Sequence, residues 1–246
     1  MSLSDEYQRE FSWRPWPQVF AALPPLAGKT ILDLGCGVGQ QAAELVARGA
    51  RVIGVDSSDE LLATARRSVP SGLFLKANLA TLALERTVDG IWASFVPAYF
   101  AELRPVLELW RAHLAPGGWI ALTEVDDLFG HEPLGARTAS LLEGFTAMTL
   151  ARSRYDFHMG RKLHGLLEAA GFGVKRELVL DDRELAFQGA AEPEVLDAWR
   201  CRFARMRALQ QYCGERFAAL RDDFLACIAR PDHRSSARVF CCVAER

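Results

Sequence analysis

The sequence predicts an α/β protein with a doubly wound, seven-stranded, mostly parallel sheet and helical insertions. Three observations carry this prediction. From residue 30 onward, short Val-, Ile- and Leu-rich segments alternate with helical patterns, glycines cluster after the first such segment, and polar residues follow the next ones. Alternation of this length is typical of parallel sheets with right-handed crossovers. Ligands of such sheets bind beyond the carboxyl ends of the strands.

The predicted strands are short and apolar, as expected for strands buried on both faces. They cover residues 30–34, 51–56, 73–75, 89–95, 119–125, 174–180 and 237–243. The pattern Ala115–Pro116–Gly117–Gly118 predicts a type II turn before the fifth strand, because it places Pro and Gly where that turn requires them.

The predicted helices show apolar residues at intervals of three to four positions. They cover residues 40–48, 59–67, 99–114, 138–150, 158–170, 194–209 and 211–229. Ser57 and Glu60 form a capping-box pattern at the start of the second helix. The apolar stripes of the last two helices predict core packing, and a substrate lid or a dimer surface are the alternatives.

Composition bounds the class of protein. Half of the 246 residues are hydrophobic and 24% are charged, which favours a large buried core and excludes a disordered chain. The net charge of -2 argues against a nucleic-acid partner. No apolar segment indicates a signal peptide or a membrane span. The six cysteines have neither CxxC nor metal-ligand spacing, so we expect reduced thiols, a cytoplasmic location and no metal site.

The pattern predicts one domain over residues 1–246, since no segment has a linker composition. We expect a covering segment at 1–28, a ligand-binding core at 30–125, and helical insertions at 126–160 and 190–232 that are candidates for a substrate lid.

The glycine-rich segment 35–39 joins the first strand to the next helix. Glycines let the backbone approach a ligand closely, and a helix N-terminus favours negative charge. A dinucleotide fingerprint, G-x-G-x-x-G, would need a third glycine where Gln40 stands, which weakens the alternative of a nicotinamide-dependent oxidoreductase. Asp56, at the end of the second strand, could accept hydrogen bonds from two ribose hydroxyls in either case.

The segments ILDLGCGVGQ, VIGVDSS and LAPGGWIALTEV, in this order and spacing, resemble the class I S-adenosylmethionine-dependent methyltransferases. The resemblance covers about residues 30–125 strongly and 160–172 more loosely. It implies the Rossmann-like methyltransferase fold, S-adenosyl-L-methionine as cofactor and in-line methyl transfer to a small molecule. A non-catalytic protein that binds the same cofactor is the second alternative. The implied cofactor contacts are Asp33, Gly35, Cys36, Gly37, Gly39, Asp56, Ser57, Asn78, Leu79, Ser94 and Phe95. Asn78 departs from the family, which usually has an acid there.

An oxygen acceptor usually needs a general base, whereas a neutral amine or a thiolate does not. Glu124, His131 and Tyr99 are the catalytic candidates, since each lies in or after the predicted carboxyl end of a strand. The alternatives are a surface position for His131 and a place at the rim of the core for Tyr99.

The N-terminal segment combines aromatic residues with Arg9 and Arg14, and such a segment could close a pocket over a flat or anionic substrate. The alternative is a helix packed on the sheet edge. Basic residues at 152–162 also favour an anionic small-molecule acceptor. Nucleic-acid methylation is disfavoured because Ser94–Phe95–Val96–Pro97 stands where an Asp/Asn-Pro-Pro-aromatic motif would be. We expect a monomer or a homodimer without a membrane partner.

Overall fold

The computed structural model describes residues 3–246, with side chains described from residue 6. Seven strands form one sheet in the order β3-β2-β1-β4-β5-β9-β7. The strands are β1 Thr30–Leu34, β2 Arg51–Asp56, β3 Leu73–Lys76, β4 Val88–Ser94, β5 Leu114–Asp126, β7 Gly173–Leu180 and β9 Arg238–Glu245, and a separate two-stranded ribbon pairs β6 His131–Glu132 with β8 Arg234–Ser235. Strands β1 to β5 are parallel, and β9 runs antiparallel between β5 and β7. The predicted fold class is confirmed.

Ten α-helices lie within the described residues. They are α1 Leu3–Phe11, α2 Trp16–Ala21, α3 Gln40–Ala47, α4 Asp59–Ser68, α5 Leu103–Ala112, α6 Ala136–Ala151, α7 Leu163–Ala169, α8 Pro193–Arg205, α9 Arg207–Cys213 and α10 Phe217–Ile228, with 3-10 turns at Pro97–Tyr99, Gly160–Lys162 and Gly214–Arg216. None of the helices in this part of the chain is long and apolar enough to cross a membrane.

Apolar residues fill both faces of the sheet. In β1, Ile31 belongs to one buried cluster, and its neighbours Leu32 and Leu34 belong to the cluster on the other face. This alternation follows from the two-residue period of a strand. Because helices cover both faces, the polar ends of the parallel strands remain as the accessible edge of the sheet.

The apolar stripes of the late helices are core. Trp199 and Phe203 of α8 and Phe224 of α10 are fully buried, and their rings lie 4.7–5.8 Å apart between centroids. These helices pack over the β6–β8 ribbon, where the ring of His131 contacts Trp199 and Phe224.

Four local predictions were wrong. The predicted helix 99–114 begins only at Leu103, because Phe100 is extended after the Pro97–Tyr99 turn. The N-cap of α4 is Ser58 rather than Ser57, with Ser58 Oγ accepting a hydrogen bond from the Leu61 N–H at 3.3 Å. The predicted helix 194–209 breaks at Met206, and the next one is interrupted by a 3-10 turn that starts at Gly214.

Candidate functional site

A cavity of about 1070 Å³ opens beyond the carboxyl ends of β1, β2 and β4, where the strand order reverses between β1 and β4. Small-molecule sites usually measure about 300–1,000 Å³, so this one is large. Most of the predicted cofactor residues line it, namely Gly35, Cys36, Gly37, Asp56, Ser57, Asn78, Leu79, Ser94 and Phe95. Of the remaining two, Asp33 is buried in β1 and Gly39 caps α3.

Gly35 and Gly37 of the glycine loop both have a positive φ, but their surroundings differ. At Gly35, φ is +70° and an added Cβ atom would lie 2.3 Å from Val96 Cγ2, so neither the conformation nor the space accepts a side chain. At Gly37, φ is +53° and an added Cβ would meet no atom within 4 Å. The backbone at Gly37 therefore faces open space on the cavity side.

Asp56 connects β2 to this loop. Its Oδ2 accepts a hydrogen bond from the Gly37 N–H at 3.0 Å, and its Oδ1 accepts one from the Ser58 N–H at 2.9 Å. A carboxylate oxygen has a second lone pair, so both atoms can still accept a hydrogen bond from a ligand hydroxyl.

Two of the predicted cofactor residues have a polar atom without a partner. Asp33 Oδ2 and Ser94 Oγ are buried and form no hydrogen bond with any described residue. Burial, together with the charge of Asp56, raises the pKa of Asp33 to about 7. Unsatisfied buried polar atoms are costly and need an explanation. A ligand with an ammonium or hydroxyl group beside the loop would satisfy them.

Asn78 and Leu79 follow β3. Asn78 Oδ1 accepts a hydrogen bond from the Ala80 N–H at 2.9 Å, which makes an Asx turn, and the residue also lines the cavity. The carbonyl of Leu79 accepts a hydrogen bond from Trp110 Nε1 at 3.0 Å. The turn therefore holds both residues at the cavity wall.

Phe95, directly after β4, has φ +57°, a conformation that a bulky side chain rarely adopts. Its N–H donates a hydrogen bond to the Thr123 carbonyl at 2.8 Å. The guanidinium of Arg14 lies over its ring, 5.0 Å from the centroid. Strained backbone of this kind is often found at functional sites.

Of the three predicted catalytic residues, only Tyr99 lines the cavity. The side chain is 65% exposed, and its ring meets that of Tyr155 edge-on at 4.9 Å. Glu124 is fully buried, and its carboxylate accepts hydrogen bonds from the N–H groups of Ala98 at 3.1 Å and Val125 at 2.9 Å. Burial raises the pKa of Glu124 to about 8.

His131 lies outside the cavity lining. It is buried in the β6–β8 ribbon, and its Nδ1 is hydrogen-bonded to Nε2 of His233 at 2.9 Å. His233 Nδ1 donates in turn to the Gly189 carbonyl at 2.8 Å. Burial and the neighbouring His233 lower the pKa of His131 to about 3. The structure therefore surrounds His131 with core residues rather than with the other site residues.

An ionic cluster that the sequence did not reveal covers the cavity, and we call it the roof cluster. It consists of Glu10, Arg14, Asp182, Glu184 and Arg202. Glu184 Oε2 accepts from Arg14 Nη2 at 3.2 Å, and Glu184 Oε1 accepts from Arg202 Nε at 3.1 Å. Glu10, Arg14 and Arg202 line the cavity. Of these five residues, only Arg14 was a site candidate from the sequence, as part of the aromatic N-terminal segment.

The six cysteines are all unpaired, and five of them are buried. No group of three or more His, Cys, Asp or Glu side chains in the described part of the chain could hold a metal ion.

Fold and cavity together define a class I methyltransferase-type α/β protein, in which a glycine loop and an acid after β2 meet at the switch point. Residues 31–118 match the family of the methyltransferase domain. This part of the chain is similar to the methyltransferase domain family, in agreement with the resemblance read from the sequence.

Similar proteins agree with this assignment. A trans-aconitate 2-methyltransferase of Methylobacterium nodulans is 33% identical over 156 residues, which is 58% of this chain and 60% of that protein. One from an Azoarcus species is 39% identical over 106 residues, 42% of each chain. The matches thus span about half the length of these relatives. The structure of an S-adenosylmethionine-dependent methyltransferase from Mesorhizobium loti has a TM-score of 0.56 at 20% identity, covering 94% of this chain and 97% of that one.

Proposed function

We propose that this chain binds S-adenosyl-L-methionine in the cavity and transfers its methyl group to a small-molecule acceptor. The observation that carries the proposal is the placement of Asp56 against the Gly37 N–H at the switch point of the sheet. The methyltransferase names of the relatives support it.

The residues at the loop fit this cofactor. Asp56 would accept hydrogen bonds from the ribose hydroxyls, and Asp33 and Ser94 have the unsatisfied atoms that an amino group would need. Asn78 and Leu79 would lie beside the adenine. When bound, the cofactor supplies a methyl group that is already activated by a positively charged sulfur.

The chain's own contribution to the reaction is to hold the acceptor in line and to exclude water. Positioning alone can supply on the order of 7–11 kcal/mol of the barrier. Tyr99 is the best-supported catalytic candidate because its side chain lines the cavity. Glu124 would act from behind the wall, since its carboxyl is buried and bonded to the backbone. His131 has no support from its position and remains a prediction from the sequence.

Few basic residues of the chain are placed to bind a negative charge on the acceptor. Of the basic residues that favoured an anion, Arg161 pairs with Asp126, and Lys162 pairs with Asp156 at 2.5 Å. Neither is part of the lining, whereas Arg14 is, together with Arg202. An anionic group on the acceptor would therefore meet Arg14 or Arg202. The proposal keeps a cytoplasmic location, because the cysteines are unpaired.

Calorimetric titration with S-adenosyl-L-methionine and with S-adenosylhomocysteine tests the proposal. Asp56→Ala should weaken binding by about 1.5–3 kcal/mol, the range for hydrogen bonds to a charged group. Asp222→Asn is the matched control, since this exposed carboxylate pairs with Arg221 at the surface, outside the cavity lining. Unchanged affinity in Asp56→Ala would contradict the proposed site. Release of S-adenosylhomocysteine in an acceptor screen separates an enzyme from a protein that only binds the cofactor.

A further inference from the structure

Two sets of aromatic rings line the part of the cavity away from β2 and β3. Phe11 stacks on Trp16 at 5.7 Å, and Trp16 meets Phe95 edge-on at 6.4 Å. Tyr99 meets Tyr155 edge-on at 4.9 Å. All five residues belong to the lining. Ring faces and edges of this kind bind flat apolar groups by offset or edge contacts.

Except for Phe95, which follows Ser94 and was also a predicted cofactor contact, these rings come from other elements than the residues that fit the cofactor. The glycine loop, Asp56 and Asn78 follow β1, β2 and β3. The rings come instead from α1 and α2, from the turn after β4, and from the segment after α6. The acceptor part of the cavity is therefore largely aromatic.

The roof cluster does not offer net positive charge to this part. It has three carboxylates against two guanidiniums. Arg14 donates to the Glu10 carbonyl at 2.7 Å and to Glu184, and its Nε lies 3.2 Å from Asp182 Oδ2. The other cation of the lining, Lys76, pairs with Asp59 at the end of β3.

Arg202 keeps a donor group that a ligand can use. Arg202 uses Nε and Nη2 to bind Glu184, and its Nη1 forms no hydrogen bond with the described residues. Arg202 lines the cavity, so this group can meet a single carboxylate or carbonyl there. A second or third carboxylate would have to share Arg14 or Arg202 with the carboxylates of the roof cluster, which is costly.

From these features we infer that the acceptor is a flat aromatic small molecule that carries at most one negative charge. The inference rests on the proposed function and narrows it. It sets this chain apart from the relatives named trans-aconitate 2-methyltransferase, because trans-aconitate is an acyclic tricarboxylate.

Four probes test separately the effect of an aromatic ring and the effect of the number of carboxylates on binding. The full-length chain, saturated with S-adenosylhomocysteine, is titrated by calorimetry with 4-hydroxybenzoate, trimesate, crotonate and trans-aconitate. The first two have a ring, and the first and third have one carboxylate. We expect 4-hydroxybenzoate to bind about tenfold more tightly than each of the others, because ring contacts worth about 1.4 kcal/mol are missing in crotonate and trans-aconitate, and the extra carboxylates disfavour trimesate. Equal or tighter binding of trans-aconitate or crotonate, or no binding of 4-hydroxybenzoate, overturns the inference.

Tyr99 provides the matched variants. Tyr99→Leu should weaken 4-hydroxybenzoate binding roughly fivefold and leave crotonate binding unchanged, whereas Tyr99→Phe should keep the affinity of both. Unchanged affinity for S-adenosylhomocysteine shows that each variant is folded. If Tyr99→Leu binds 4-hydroxybenzoate as the wild type does, the aromatic wall is not the recognition surface. Failure of the wild type to bind S-adenosylhomocysteine would contradict the proposed function itself.

Discussion

Gly35 and Val96 are in such close contact that a Cβ atom added to the glycine would lie 2.3 Å from Val96 Cγ2. The contact joins the loop after β1 to the segment after β4, on the two sides of the switch point. Both residues line the cavity, and the absence of a side chain at residue 35 makes this close approach possible.

Gly35→Ala should lower the free energy of unfolding by about 2–4 kcal/mol, because the left-handed backbone costs about 1–2 kcal/mol and the overlap with Val96 adds to it. Gly28→Ala is the control, since Gly28 has φ +75° but no atom within 4 Å of the added Cβ. It should show the backbone cost alone. Urea denaturation measures both losses, and equal losses would mean that the overlap relaxes freely.

Glu184 connects Arg14 and Arg202, and its side chain is fully buried. Glu184→Gln should cost about 3 kcal/mol of stability, since both guanidiniums lose the charge of their shared, fully buried carboxylate. Glu192→Gln, which breaks the exposed pair with Arg183, should cost less than about 1 kcal/mol. A similar cost for the two variants in chemical denaturation would show that the roof cluster is no stronger than a surface pair.

Glu124 makes stability depend on pH. Burial raises its pKa to about 8, so the folded chain keeps this proton after the unfolded chain has lost it. The free energy of unfolding therefore falls as the pH rises from about 4.5 to about 8. In Glu124→Gln this fall is absent, so the variant should gain on the order of 3 kcal/mol relative to the wild type between about pH 5 and pH 8. Exposed Glu85→Gln is the control and should show no such gain.

His131 lowers the stability at low pH, whereas Glu124 lowers it at high pH. Burial lowers the pKa of His131 to about 3, so the unfolded chain binds a proton first as the pH falls below about 6.5. This histidine therefore destabilises the fold in acid. His131→Phe should resist acid unfolding better by on the order of 3 kcal/mol near pH 4 and keep cofactor affinity, because residue 131 lies outside the cavity lining. Circular dichroism during acid titration tests the first point, and calorimetry the second. A loss of cofactor affinity in this variant would restore His131 as a site residue.

The sheet and the glycine-loop side of the cavity were predictable because their signals are local. β1 and β2 begin and end at the predicted residues, the glycines follow β1, and Asp56 is the last residue of β2. The roof cluster was not predictable, since it joins residues as distant in the chain as Glu10 and Arg202, and its members look like ordinary surface charges in the sequence. The burial of His131 likewise depends on His233, 102 positions away.

The position of β9 has a consequence for how the sheet is assembled. β9 lies between β5 and β7, although it follows both in the chain. During synthesis β7 leaves the ribosome before its only partner in the sheet exists, and the edge of β5 stays unpaired until then. Such long-range pairing raises the contact order and slows folding. In pulse-labelled refolding we expect the amides that β5 and β7 direct toward β9 to become protected last, after the parallel strands have formed.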